Sequence, residues 1–249
     1  MIAACGSFGA TDSAPDASSE VSTLADAPVA DGSSGDGGTC QSGAFCDSFD
    51  DGLALPRAWF GPTIVGNANL RLGASAGVNG SGGLVATVVA DTKSQSARLQ
   101  HNLPMPAPAA YDVVIAFSAL VNLTTDGVVL GPRFVANGAT AGNRNLSVTF
   151  KKGIVRLDPN ACDAGDCALP ANEVKVNPGW HRYTLTLVVR PAGSTYELAI
   201  DGLSAINKPL PLLLSSPTSY GLWLGVTYTD GTAAGTISLD DASFLLTPH

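Results

Sequence analysis

Few residues of this chain could do chemistry, and their spacing removes most of the chemistries open to them. Hydrolysis of a glycosidic bond with retention needs two carboxyl groups ~5–5.5 Å apart, and one strand offers them on one face only at alternate positions. Between residues 39 and 249 the only glutamates are Glu173, read as lying in a loop, and Glu197. Glu197 shares a strand with Asp201, which puts the two carboxyls on one face about 13 Å apart, too wide for retention. Glu197 therefore reads as a surface strand residue. The histidines are His101, His181 and His249. No Gly-x-Ser-x-Gly elbow accompanies them, and no His/Cys cluster has metal-ligand spacing. No catalytic residue and no metal site are expected, and the chain does not read as an enzyme.

The elements that would position any site are strands. Gly179 to Asp201 is the clearest stretch: Tyr183, Leu185, Leu187 and Val189 alternate with Arg182, Thr184, Thr186 and Val188, the period-two pattern of a strand with one apolar face. Pro191-Ala192-Gly193-Ser194 breaks the run, and Tyr196, Leu198 and Ile200 resume it before Asp201-Gly202, so the unit reads as a hairpin. Tyr111 to Leu123 is apolar on both faces, as a central strand of a two-layer core should be. Leu84-x-Ala86-x-Val88, Ala97-x-Leu99-x-His101, Val128–Leu130, Arg133–Val135, Leu146–Phe150, Ile154–Leu157, Tyr220–Tyr228 and Gly235–Phe244 follow the rhythm of a sandwich, with turns between them. The composition suits this: 28 glycines, 16 prolines and only 14% charged residues, with no long amphipathic helix.

Three segments resemble a known family. Phe45-Cys46-Asp47-Ser48-Phe49-Asp50-Asp51-Gly52 followed by Trp59, the Trp180-His181 pair opening the hairpin, and the closing Ile237-x-Leu239-Asp240-Asp241-x-x-Phe244 are similar to the corresponding parts of concanavalin A-like lectin/glucanase domains, laminin-G-like ones included. The resemblance implies an all-β, two-sheet antiparallel jelly-roll sandwich in which the last strand returns beside the first and Trp59 and Trp180 lie in the core. Laminarinase-like members carry Glu-x-Asp-x-x-Glu on one strand, and this chain has no such motif. Asp50 and Asp51 read as capping the turn at Gly52 and accepting backbone N–H bonds rather than holding metal.

The N-terminal region gives an address. Ile2-Ala3-Ala4-Cys5 resembles the lipobox of bacterial lipoproteins, in which the cysteine is lipidated, although no charged and apolar leader precedes it; either the reading frame was called too late, or Met1 is an internal start and Cys5 a stray cysteine near a frayed end. Setting Cys5 aside leaves four of the five cysteines as two close pairs, Cys40 with Cys46 and Cys162 with Cys167, suited to small-loop disulfides in an oxidising compartment. Residues 6–38 hold six acidic and no basic residues and few large apolar ones. They are expected to be a disordered tether of about 30 Å root-mean-square span, or a leader without a role. The domains are then 1–5, a lipobox remnant; 6–38, the tether; and 39–249, the sandwich. The net charge is -8, of which the tether carries six, and no basic cluster suggests nucleic acid as a partner. By the same lipoprotein resemblance, Gly6 after Cys5 points to the outer membrane.

Residues 159–170 form an acidic loop around the Cys162–Cys167 pair, with Asp158, Asn160, Asp163 and Asp166, and meet no EF-hand pattern. No cofactor is expected, calcium being the one ion these acidic segments leave open. Binding a sugar asks only for an aromatic platform with polar groups at its edges. If Tyr220, Leu222, Leu224 and Val226 face the core, then Trp223, Gly225 and Thr227 face away. Trp223 then lines an open groove, or lies under a crossing loop such as Leu210–Leu214. The expectation is a non-catalytic surface lipoprotein of the cell envelope that binds carbohydrate through Trp223, Thr227, Arg182 and Asn145. The alternative is an envelope module that binds a protein partner and no sugar; a glycoside hydrolase ranks last.

Overall fold

Alternating strands carry most of the chain's described length. The computed structural model describes residues 40–51, 54–55, 58–103, 110–138, 143–160, 172–210 and 217–249. The expectations made for Cys5, for residues 6–38, for Cys162–Cys167 and for cover from residues 211–214 lie outside them. The strands are β1 (Phe45–Asp47), β2 (Phe60–Val65), β3 (Asn69–Gly73), β4 (Gly83–Val88), β5 (Ser96–Leu103), β6 (Tyr111–Leu123), β7 (Val129–Gly138) and β8 (Asn143–Lys151). Then come β9 (Ile154–Asn160), β10 (Asn172–Lys175), β11 (Trp180–Val189), β12 (Ser194–Ile200), β13 (Leu203–Leu210), β14 (Pro217–Val226), β15 (Tyr228–Thr229) and β16 (Gly235–Pro248). One 3-10 turn, Val78–Gly80, is the only helical element among the described residues.

The strands form two antiparallel eight-stranded sheets. The first runs β13-β12-β11-β6-β16-β4-β3, with β1 also on β16; the second runs β10-β9-β8-β7-β14-β5-β2, with β15 on β7. The last strand does return beside the first, with Phe45 opposite Phe244. In the hairpin, Leu185 faces Leu198 and Leu187 faces Tyr196 across the ladder, so their side chains share the inner face. All four are buried, as are Val113, Ile115 and Phe117 on the neighbouring β6. The sheets close over aromatic contacts: Phe150 of the second sheet meets Tyr183 of the first edge-on at 5.7 Å, and Phe134 approaches Phe244 at 6.4 Å. A fully buried leucine contributes roughly 1.5–3 kcal/mol through removal of apolar surface from water, which explains why the alternation is so strictly kept.

The Phe45–Phe49 segment acquires a physical reason. Asp47 is buried and accepts the indole N–H of Trp59 at 2.8 Å and the backbone N–H of Phe49 at 2.9 Å. Phe45 meets Trp59 edge-on at 4.9 Å and stacks on His101 at 3.8 Å. His101 sits on the core-facing side of β5 as its alternation requires, and burial lowers its pKa while the Ala58 carbonyl acts the other way. Asp50 accepts the backbone N–H of Gly82 at 2.7 Å; the turn at Gly52 lies outside the described residues. Cys40 and Cys46 are joined by a disulfide with Cα atoms 6.1 Å apart.

Several expectations need correcting. Trp180 is not a core residue: it is half-buried and alternates with the buried set, so it sits on the outer side of the first sheet. Glu173 lies on β10, not in a loop, and Asp158 and Asn160 belong to β9. Asp201 ends the alternation in a turn at φ 51°, so it does not share a strand face with Glu197. Its carboxylate instead accepts the Arg182 backbone N–H at 2.9 Å and pairs with His181 at 2.6 Å.

Candidate functional site

The outer face of the second sheet gathers the polar and aromatic side chains. Strand register sets one row across it: Asp158 of β9, Ser147 of β8, Arg133 of β7, Trp223 of β14, Gln100 of β5 and Phe60 of β2 are successive cross-strand partners. Cross-strand partners share a face, so this row is a consequence of alternation. The residues on either side of Trp223 in the chain, Leu222 and Leu224, are fully buried on the opposite side.

Trp223 itself is half-buried, between a strand carrying Arg98 and one carrying Arg133. The Arg98 guanidinium lies 3.9 Å from the ring centroid and that of Arg133 5.4 Å, within reach of a cation–π interaction. Glycines at 221 and 225 flank it on the same face. A Cβ at Gly221 would come within 3.7 Å of the Trp223 indole nitrogen, and one at Gly225 would meet the Ala97 carbonyl at 2.4 Å. Gly225 also has φ +110°, where an L side chain is strained. Gly225→Ala is accordingly expected to lower the melting temperature by several degrees, since backbone must move on β14 or β5; a variant melting within a degree of the wild type would show that the strand pair gives way freely.

Around this centre, Arg133 Nε donates to Ser147 Oγ at 2.9 Å, and Gln100 Nε2 donates to Asn102 Oδ1 at 2.7 Å. Arg156 grips Asp158 at 2.8 Å and reaches Glu173 at 3.8 Å, which Lys151 also approaches at 3.5 Å. Asn145 Oδ1 and Thr149 Oγ1, on the same face of β8, are buried without a hydrogen-bond partner. Phe60, at the far end of the row, is 62% exposed, a bare aromatic two strands, roughly 10 Å, from Trp223.

Of the four residues named for sugar contact, two belong here. Trp223 is outward, and Asn145 lies on the same face, opposite Val135 of β7. Thr227 does not: β14 ends at Val226, the chain irregularity before β15 turns Thr227 inward, and it is 5% exposed with its hydroxyl on the Leu130 and Gly131 carbonyls at 3.1 and 3.3 Å. Arg182 is on the other sheet altogether, with its guanidinium on the Asp241 carbonyl at 2.7 Å. Arg98, Gln100 and Arg133 were not singled out beforehand. The signal existed, because Arg98, Gln100 and Asn102 occupy the alternate positions to Ala97, Leu99 and His101.

A concavity of about 200 Å³ lies elsewhere, at the ends of β6, β8 and β11, and is lined in part by Lys151, Lys152, Asn177, His181 and Tyr183. His181 cannot serve there as a base. Nδ1 meets Asp201 Oδ2 at 2.6 Å and Nε2 meets the Asn177 carbonyl at 2.9 Å, two acceptors that together call for an imidazolium. Burial works against that charge, but Asp201 and the Asn177 carbonyl outweigh it and raise the pKa; the His181 hydrogen bond in turn lowers that of Asp201. A histidine pKa raised on folding stabilises fully below the unfolded value near ~6.5, and that contribution is lost as pH rises through the folded value. The melting-temperature gap between wild type and His181→Gln should therefore shrink from pH 6 to pH 9. A gap that is constant or widens over that range would mean the pair is not charged.

Among the described residues no group of three or more His, Cys, Asp or Glu could hold a metal ion, and no helix is long and apolar enough to cross a membrane.

The fold is that of concanavalin A-like jelly-roll domains. The chain resembles the structure of the cellulose induced protein Cip1 (TM-score 0.57, 13% identity, covering 81% of this chain and 96% of that one). It also resembles an endo-1,3-beta-glucanase from Streptomyces sioyaensis (TM-score 0.54, 14% identity, 85% of this chain and 99% of that one). The Emp47p carbohydrate recognition domain aligns at a TM-score of 0.49 with 11% identity, over 85% of this chain and 100% of that one. At such identities the likeness is one of fold. No family model and no curated protein matches the sequence.

Proposed function

We propose that this protein is a non-catalytic carbohydrate-binding module whose ligand lies along the outer row of the second sheet, from Phe60 past Trp223 to Asp158. The observation that carries this reading is the row itself, which sets two aromatics about two strands apart with hydrogen-bonding side chains between and beyond them. Sugars are held by aromatic platforms with polar groups at their edges. The two carboxylates nearest the row favour binding over catalysis, since Asp158 and Glu173 are both engaged by Arg156 rather than standing free to exchange a proton with a substrate. Retention of the protein on a panel of polysaccharide gels is the test, and no retardation on any of them would overturn the reading. Phe60→Ala is expected to weaken whichever retention is found about 3–10-fold, because an exposed ring contributes through stacking alone.

A second reading rests on β2, an edge strand on which Phe60, Ile64 and Val65 are all exposed. Such an edge suits a protein partner in the envelope; a co-purifying protein lost in an Ile64→Lys variant, with no glycan bound, would favour it.

The Cys40–Cys46 disulfide is of a kind that persists in oxidising compartments. The likeness of Ile2-Ala3-Ala4-Cys5 to a lipobox supports attachment to the cell envelope by a lipid at Cys5. Mass spectrometry of the N-terminal peptide from the native host tests this, an unmodified Cys5 being the outcome against it.

A further inference from the structure

Trp223 is not a bare platform. The Arg98 guanidinium covers it at 3.9 Å, and Arg133 stands at 5.4 Å. A neutral pyranose stacking on the face that Arg98 covers must displace that arginine, whereas an acidic sugar gains from leaving it in place. Burial, with the charge of Arg98 adding to it, lowers the pKa of Arg133 to about 10, and burial also lowers that of Arg98. Yet among the described residues no carboxylate lies within ion-pair distance of either: the carboxylates of this face, Asp158 and Glu173, are taken by Arg156 and Lys151. Arg98 Nε is buried with no partner, and a buried donor without an acceptor is costly. The folded chain thus holds two mutually repelling, partly desolvated guanidiniums around an indole, with hydrogen-bonding capacity unused.

We propose that this face binds an acidic polysaccharide, with the carboxylate of a uronate residue seated against Arg98 and Arg133 at Trp223. The proposal rests on the carbohydrate reading above and narrows it. A guanidinium presents a planar fork that matches a carboxylate two bonds at a time. A single planar anion between Arg98 and Arg133 would relieve their repulsion. The attraction is local, because the whole chain carries a net charge of -8. The arginine pair itself is then the feature that selects the ligand.

The test is calorimetric titration of the full chain with oligomers of galacturonate, mannuronate and glucuronate, with the same oligomers after reduction of their carboxyls to alcohols, with neutral glucan and xylan oligomers, and with a sulfated galactan. Binding to at least one uronate series is expected, at least tenfold weaker after carboxyl reduction, at least tenfold weaker in Arg98→Gln, and declining as salt rises. Carboxyl reduction needs no variant, so the proposal stays testable even if Arg98→Gln folds poorly. Equal affinity for reduced oligomers, or binding of neutral oligomers alone, would overturn the acidic assignment and leave the carbohydrate reading standing. A sulfated galactan bound as tightly as the uronates would overturn the carboxylate in favour of charge alone. Silence from every oligomer would remove both readings together.

Discussion

Trp223→Ala is expected to lower the affinity of the protein for its glycan by about 10–100-fold, the effect of losing a hot-spot aromatic worth about 1.5–3 kcal/mol. Two losses combine in it. The indole surface disappears, and Arg98 loses the ring that holds its guanidinium at 3.9 Å, so the cation gains rotamers that binding must then freeze. The fold should tolerate the change. Trp223 points away from the core that Leu222 and Leu224 build, and its nearest neighbours on the same face of β14 are glycines, at 221 and 225. A melting temperature within a few degrees of the wild type, together with lost binding, is the expected pair of results. Phe134→Leu, a change on the inner face of β7 directly across from Leu222, should do the reverse, lowering stability and sparing affinity. An affinity unchanged within twofold in Trp223→Ala would place the ligand elsewhere, with the 200 Å³ concavity beside His181 the next surface to examine.

How far the sequence reaches depends on which physical rule each feature obeys. Alternation is enforced by burial, at kilocalories per position, so the hairpin of β11 and β12, the central β6 and the outward face of Trp223 were all legible from period two. The return of the last strand beside the first came from the family resemblance, not from pattern. Register is where sequence reading stops. Nothing in the linear chain says that Arg133, Trp223 and Gln100 stand side by side, because that depends on which strands neighbour β14, and β5 and β7 reach it from far along the chain. Arg182 and Trp223 both read as outward-facing, yet lie on different sheets; outwardness is a local property and sheet membership is not. Thr227 failed for a smaller reason. Period two holds only as far as Val226, where β14 ends, and Thr227 lies in the break before β15.

Asp47→Ala is expected to produce the largest loss of stability among single polar substitutions in the described sandwich, about 2–3 kcal/mol, or roughly 5–10 °C in melting temperature. The carboxylate is 7% exposed and joins two segments that no strand pairing connects: the Phe49 backbone N–H in its own turn and the Trp59 indole N–H from the run into β2. Removing it strands both donors in a site closed by Phe45 and Phe49, and Trp59, 4% exposed, cannot turn its nitrogen to water without opening the cluster it shares with Phe45 and His101. Asp47→Asn should fall between wild type and alanine, since one amide oxygen can serve only one of the two donors well while the NH2 faces the other. Trp59→Phe keeps the ring stacked and removes only the N–H. If the bond carries the effect, the double variant Asp47→Ala/Trp59→Phe will be less destabilised than the sum of the two single changes by about 1 kcal/mol or more. Strict additivity in that cycle would mean that Asp47 does not act through its bond to Trp59, and that Trp59 is held by packing.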